Sequence, residues 1–345
     1  MLLLVINQSR NTILMYPGPT NLITDVPGIQ VGNSHDPDLR SGVTVITPTH
    51  PSIASADLRG GGTGTRDVAL LSPEGTIEKI DSIVLSGGSA YGLDAAGGVM
   101  NYLRQQNRGV PIRSTRVPIV AQAILFDQLN GGNKDWGSTP PFWQLGYDAA
   151  INEGKSFDLG NSGAGYGAIA GDLKGGLGSA SIFIPELEIT VGALAAVNSA
   201  GSVIMPGDRA FYAWDSELKD EFGGLIPTSK FERSLVIIPE VAHLGENTTL
   251  AVIATDAILN KMQTRRLAIT SQNGMGRAIR PSHTPLDGDM VFAIATGSKE
   301  LKDPIRDLAV IGGHAANCLA RAIARGVYEA ETIGDLKAYR DAFKN

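Results

Sequence analysis

Residues 243–256 read HLGENTTLAVIATD, a polar Gly-Glu-Asn-Thr-Thr turn that opens directly onto an apolar run, with hydroxyls at its first two positions. The run from Thr248 onward is rich in β-branched and aliphatic residues and reads as a strand. Three readings fit the turn. Asn247-Thr248-Thr249 is formally a glycosylation sequon, although one cysteine and no export signal give that reading little support. It is also an ordinary strand entry, with asparagine in the turn. The third reading makes Thr248 a concealed N-terminus. If the Asn247-Thr248 bond is cut, one residue carries both a hydroxyl nucleophile and a free α-amine, whose pKa of about 8 suits a base.

Similar apolar runs recur along the chain. SGVTVITP (41–48), SIVLSGG (82–88), SASIFI (179–184), ITVGALAAVN (189–198), SLVIIPE (234–240) and DMVFAIATG (289–297) alternate with helical stretches at 90–106, 140–154, 259–279 and 304–331. Strands and helices in these numbers imply a layered α/β or α+β fold with buried sheets. With 345 residues, 43% of them hydrophobic, the chain can bury a large core. No repeat period or low-complexity tract divides it. Residues 130–141, NGGNKDWGSTPP, read as a surface loop.

Charge excludes one class of partner. The 29 Lys and Arg against 35 Asp and Glu leave a formal net charge of −6, without the basic footprint that nucleic acid requires. No stretch reaches the roughly eighteen apolar residues of a membrane span. The start MLLLVINQSR has too short an apolar run for an export signal, so residues 1–20 read as an extension and the expected location is cytoplasmic. Cys318 is the only cysteine and is expected as a packed helix residue in a reducing compartment. The five histidines show no metal-ligand spacing, and neither a metal nor a cofactor is expected.

Two glycine turns invite other chemistries. SIVLSGGSAYGLDAAGG (82–98) is a strand, glycine turn and helix, but its spacing is G-G-x-x-x-G, and GAGYGAIAG (163–171) lacks a clear strand before it. A nucleotide-binding α/β protein is therefore one alternative. The first turn also lies one residue from a nucleophile-elbow pattern, which makes a serine hydrolase using Ser89 the other, with His243, His283 or His314 as partners.

Seven ordered motifs carry a resemblance. They are residues 21–46, 57–67, 83–99, 160–181, 191–203, 245–257 (GENTTLAVIATDA) and 284–297 (TPLDGDMVFAIATG), and in this order they resemble the DmpA-type aminopeptidase family. That family comprises L-aminopeptidase/D-esterases, β-peptidyl aminopeptidases and nylon-oligomer (6-aminohexanoate oligomer) hydrolases. The resemblance implies a single four-layer α/β/β/α domain over 21–345 that cleaves itself once into 21–247 and 248–345. It further implies an N-terminal nucleophile, here Thr248, as in the nylon-oligomer branch. Asp287 and Asp289 match the acidic pair that orients it, and Asn198 matches an asparagine that donates to the oxyanion. The resemblance further implies that Gly87, Gly88 and Ser89 line the substrate cleft. Phe126 stands where the nylon-oligomer branch has a tyrosine. At the position of that branch's catalytic lysine the chain has Asp172, and Lys174, two residues on, is the candidate cation. Small peptides or amide oligomers as substrates, and a homo-oligomer, expected as a tetramer, complete what the resemblance implies.

Overall fold

The computed structural model describes residues 16–228 and 247–344. In chain order its strands are β1 (Ile29–Asp36), β2 (Ser41–Pro48), β3 (Ser52–Leu58), β4 (Gly64–Arg66), β5 (Lys79–Ile80), β6 (Ser82–Ser86), β7 (Val110–Ile112), β8 (Thr115–Val117), β9 (Val120–Ile124), β10 (Ile169–Ala170), β11 (Leu173–Lys174), β12 (Gly176–Ile184), β13 (Ile189–Asn198), β14 (Thr248–Ala257) and β15 (Met290–Lys299). The helices are α1 (Ala95–Gln105), α2 (Phe142–Ile151), α3 (Lys261–Ala278), α4 (Pro304–Tyr328) and the short α5 (Tyr339–Ala342). Of the two large sheets one has the order β1-β2-β6-β9-β4 and the other β12-β13-β14-β15-β3-β5, while β7 with β8 and β10 with β11 form separate two-stranded hairpins. Each holds one parallel pair, β6 with β9 and β14 with β15, and in each case a helix lies in the connection between the two strands.

Burial on both faces of the strands sets the layers. Along β14, Leu250, Val252 and Ala254 enter a core between the two sheets, while Ala251 and Ile253 enter a core shared with α3 and α4. β15 repeats the alternation, with Met290, Phe292 and Ile294 on the inner face and Val291 and Ala293 on the helical face. On the other sheet, Ile83 and Leu85 face inward, and Val84 packs outward against α1 and α2 through Ala96, Val99, Phe142 and Leu145. The result is the four-layer α/β/β/α sandwich that the sequence predicts. Strands buried on both sides lose the polar alternation of half-exposed ones, which is why they read as continuous apolar runs.

The helices are fixed at their starts and by close approach. Asn260 caps α3 in a reciprocal pair with Gln263, and the Asp303 carboxylate accepts the Ile305 and Arg306 amides ahead of α4, with Pro304 in the first turn. α4 presses onto β12 at Gly178, where a Cβ would stand 1.9 Å from the Ala322 carbonyl oxygen. Cys318 lies fully buried on α4, where burial pushes its thiol up to about 11. Arg321, also on α4, is buried and donates to Glu221, Ser181 and Asn21, tying the segment ahead of β1 and the loop near residue 221 to the sheet.

The sequence reading passes over β1 and β3, because Gly, Asn, Ser and Ala interrupt IQVGNSHD and SIASADL. Their pairing is decided by neighbours, since β1 lies along the length of β2 and β3 along β15. The run SLVIIPE lies outside the described residues. Residues 130–141 form a loop free of helix and strand up to its last residues, anchored where the Asn130 amide donates to Arg40 and Gly167 carbonyls at 2.7 and 2.9 Å. The tight contact at Gly178 yields a test: Gly178→Ala is expected to lower unfolding stability by about 1–3 kcal/mol through overpacking, read as a lower urea midpoint.

Candidate active site

Thr248 is the first residue of β14, and its antiparallel partner in the ladder is Asn198, the last residue of β13. Directly opposed residues project on the same face. Here that is the inner face, since the next even positions of β14 enter the core between the sheets. The site therefore forms between the sheets at one end of β13 and β14.

The Thr248 hydroxyl is buried and lies 2.5 Å from the carbonyl oxygen of Asn247, to which it donates. The same oxygen accepts the Gly288 N–H at 2.8 Å. Gly288 belongs to the Asp-Gly-Asp segment that leads into β15, and an isolated parallel bridge between Asn247 and Asp287 extends the β14–β15 pairing back to the junction. Only glycine fits there, because a Cβ on residue 288 would stand 2.5 Å from the Thr248 hydroxyl oxygen.

The two carboxylates accept backbone amides around this junction. Asp289 accepts the Thr249 N–H at 2.8 Å through one oxygen, and the His283 N–H at 2.9 Å through the other, with the His283 Nδ1 at 3.0 Å. Asp287 accepts the Thr284 N–H at 2.9 Å and its hydroxyl at 2.6 Å, and the Ala200 N–H at 3.3 Å. Backbone carbonyls of the same pair receive Gly62, at Asp287, and Arg59 and Gly60, at Asp289. Burial, and then the neighbouring Asp289 charge, push the Asp287 carboxyl above the usual carboxylate range. A carboxylate so held is a better proton acceptor than an exposed one.

Asn198 is held at both ends of its amide. Its Oδ1 accepts the Ile169 N–H at 2.9 Å and its Nδ2 donates to the Phe126 carbonyl at 3.0 Å. Phe126 thus meets the site through its backbone. The glycine turn adjoins it: Gly88 N–H donates to Asp127 at 2.8 Å and Ser89 N–H to the Leu125 carbonyl at 3.0 Å. Gly88 and Ser89 take left-handed conformations, with φ of 87° and 53°. Among the described residues no histidine is bonded to Ser89. His283 sits on Asp289, and His314 lies on α4 beyond the second sheet. His243 is outside the described residues.

Lys174 departs from the expected picture. It is fully buried on β11, and its ammonium donates to the Gly165 and Gly175 carbonyls at 3.0 and 2.7 Å. Burial pulls its pKa down to about 7, against the opposing pull of the Asp127 carboxylate. Neither Thr248 nor the acidic pair is hydrogen-bonded to it. Asp172 is exposed at the tip of the β10–β11 hairpin.

Thr284 and Gly288 escape the sequence reading as site residues, and His283, weighed there only as a partner for Ser89, sits instead on Asp289. The signal available was proximity to Asp-Gly-Asp, since Thr284 lies three residues before Asp287, a spacing at which a hydroxyl and a carboxylate meet in a turn. Gly288 was visible only as the spacer of the pair. Among the described residues no group of three or more His, Cys, Asp or Glu is placed to hold a metal ion, and no helix is long and apolar enough to cross a membrane.

The family model described as Peptidase family S58 matches residues 21–340. A protein of Mycobacterium tuberculosis named as an uncharacterized aminopeptidase is 41% identical over 94% of this chain and 98% of its own length. A 6-aminohexanoate-oligomer endohydrolase of Kocuria sp. is 28% identical over 82% of this chain and 77% of its own length. Among solved structures, a Burkholderia sp. beta-aminopeptidase superposes with a TM-score of 0.69 at 22% identity, covering 94% of this chain and 91% of that one. An L-aminopeptidase D-Ala-esterase/amidase of Ochrobactrum anthropi, described as a variant of the Ntn hydrolase fold, gives 0.66 at 21% identity, covering 93% and 89%.

The buried lysine predicts a pH dependence. Lys174 titrates near 7 in the fold and a lysine of the unfolded chain near about 10.4, so the unfolded chain binds more protons between these values and stability rises with pH across them. Lys174→Met is expected to flatten that rise in urea unfolding followed at about pH 7, 8.5 and 10. An unchanged slope would contradict the assignment of the rise to this group.

Proposed function

This chain belongs to peptidase family S58 and is an amide-bond hydrolase, and from that premise we propose that it is a self-processing N-terminal threonine hydrolase of small peptides or peptide-like amide oligomers. The observation that carries the reading is the contact of the Thr248 hydroxyl with the Asn247 carbonyl oxygen at 2.5 Å, on the same oxygen that receives the Gly288 N–H.

Processing proceeds in two steps. The Thr248 Oγ1 attacks the Asn247 carbonyl carbon, its proton passing to a nearby base, and the Gly288 N–H holds the developing oxyanion. The C–N bond then breaks, the Thr248 nitrogen takes a proton and becomes a free amine, and residue 247 is left as an ester on the Thr248 oxygen. Water hydrolyses that ester to the Asn247 carboxylate and the free hydroxyl. Before cleavage Thr248 has no amine, and Asp287, whose carboxyl burial has already made more basic, is our choice of base for this first turnover. Asp289 keeps the junction in register through the Thr249 amide.

Turnover of substrate repeats the chemistry. The freed amine of Thr248 takes the hydroxyl proton, the hydroxyl attacks the substrate's acyl carbonyl, and Asn198 with the Gly288 N–H receives the oxyanion. The C–N bond breaks as the leaving amine takes the proton from the Thr248 ammonium, and water then hydrolyses the Thr248 ester, releasing the acyl group as its acid and restoring the hydroxyl. Lys174 contributes as a positioning residue. Its bonds to the Gly165 and Gly175 carbonyls brace the β10–β11 hairpin, whose Ile169 N–H orients Asn198. Gly87, Gly88 and Ser89 form the wall of the cleft beside Phe126. The names of the relatives, aminopeptidase and 6-aminohexanoate-oligomer endohydrolase, support amide bonds in short linear substrates. A homotetramer and a cytoplasmic location complete the reading, the first on the family resemblance and the second on the single cysteine.

Denaturing electrophoresis with N-terminal sequencing tests the processing. Active protein is expected as fragments 1–247 and 248–345. Thr248→Ala is expected to remain one inactive chain, Thr248→Ser to cleave, and Thr249→Ala to cleave normally. Full activity in an intact 345-residue chain would sink the proposal.

The acidic pair carries a separate expectation. Asp287→Asn and Asp289→Asn are each expected to fold and to lose hydrolysis about a hundredfold or more. The raised pKa of Asp287 places the acid limb of the wild-type processing rate above the ordinary aspartate value of about 3.9. Processing therefore accelerates as pH rises through that limb, and residual processing in Asp287→Asn should lack it. Near-normal kcat/KM in both variants removes the pair from the mechanism.

A further inference from the structure

The side-chain amide of Asn198 is held by two backbone segments, and each segment carries one member of a buried pair of opposite charges. Its Nδ2 donates to the carbonyl of Phe126, the residue that precedes Asp127. Its Oδ1 accepts the N–H of Ile169, whose partner across the β10–β11 hairpin is Lys174. Asp127 is 3% exposed and Lys174 is fully buried. The Asp127 carboxylate accepts the Gly88 N–H at 2.8 Å, and the Lys174 ammonium donates to the Gly165 and Gly175 carbonyls.

Two glycine loops close on the Asp127 carboxylate. A Cβ on Gly87 would stand 2.1 Å from its Oδ2, and one on Gly167 would stand 2.8 Å from it. The Ser41 hydroxyl of β2 faces the same oxygen. Burial pushes the Asp127 carboxyl above its usual range, opposed first by the Lys134 ammonium and then by Ser41 and the Gly88 N–H. Lys134 comes from the loop of residues 130–141, donates to the Leu39 carbonyl, and is itself faced by Arg40 and Asp36. For Lys174 the opposing charge is Asp127, which raises the pKa that burial lowers. A buried charge left without such a partner is costly.

We propose that Asp127 is a positioning residue for amide hydrolysis: it fixes the Phe126 carbonyl and the Gly87–Ser89 wall on one side of Asn198, while its charge faces the lysine that braces the other. The donor amide is then set from both ends before an oxyanion forms. This rests on the reading of Asn198 as oxyanion donor. Among the described residues Asp127 bonds to neither Thr248 nor the acidic pair, so its effect passes through Asn198.

The test compares wild-type enzyme with Asp127→Asn, Asn198→Ala and the double variant, using leucine p-nitroanilide and a 6-aminohexanoate trimer as substrates. Asparagine keeps the shape and the acceptor for Gly88 and removes only the charge. Asn198→Ala is expected to lower kcat about a hundredfold, and Asp127→Asn about tenfold with KM within about twofold. In the Asn198→Ala background Asp127→Asn should cost nothing further, whereas a general structural lesion would multiply the two losses. Urea unfolding, which needs no turnover, supplies a second readout. The rise of stability with pH that Lys174 begins near 7 in the wild type should begin at lower pH in Asp127→Asn, because the folded lysine loses its opposing charge and the unfolded one does not change. If Asp127→Asn does not fold, Asp127→Asn/Lys174→Met is expected to fold, since both members of the pair are gone. Wild-type kcat in Asp127→Asn, losses that multiply, an unmoved onset of the rise, or an unfolded double charge variant each overturn the proposal. Wild-type kcat in Asn198→Ala is a separate result, which removes Asn198 as the donor and the role of Asp127 with it.

Discussion

The carbonyl oxygen of Asn247 sits between two donors, the Thr248 hydroxyl at 2.5 Å and the Gly288 N–H at 2.8 Å. Everything around the site serves to keep that oxygen there. Gly288 approaches because it has no side chain. It is held by the Asp287 and Asp289 contacts on either side, which engage Gly60, Gly62, Thr249, Thr284 and His283. Those contacts in turn depend on β14 and β15 running parallel in the centre of a sheet buried on both faces. The junction is thus an edge of the core, and a polar arrangement of this density survives there because nearly every buried group finds a partner.

The same dependence explains why two acidic groups share a buried corner. Burial, and then the neighbouring Asp289 charge, raise the proton affinity of the Asp287 carboxyl. Backbone amides and the Thr284 hydroxyl offset part of that cost without supplying a counter-charge, and the only ionisable partner of the pair among the described residues is His283. A carboxyl kept neutral or basic by its surroundings is suited to moving a proton, whereas one locked in an arginine pair is not.

Much of this fold was legible in the sequence, because strands buried on both faces announce themselves as apolar runs bounded by glycine. β2 and β13 match their predicted runs residue for residue, and the four long helices fall within the predicted stretches. β1 and β3 were illegible because their residues are small or polar, and only pairing with β2 and β15 makes them strands. At the site, Thr248, Asn198 and the acidic pair were visible through motif resemblance, and the fold brings them to one end of adjoining strands. Gly288 and His283 act through a backbone N–H and a loop contact, which residue type and spacing do not encode. Lys174 was legible as a lysine, but its burial against two carbonyls depends on a hairpin that no local pattern specifies.

The central claim is that the Thr248 oxygen is the atom that attacks amide carbonyls. Mass spectrometry of active enzyme quenched during turnover of an activated ester substrate addresses it directly. The account predicts one acyl adduct, on the threonine that begins the fragment 248–345, and no adduct in Thr248→Ala. An adduct on Ser89, or on any residue of an uncleaved chain, would contradict it.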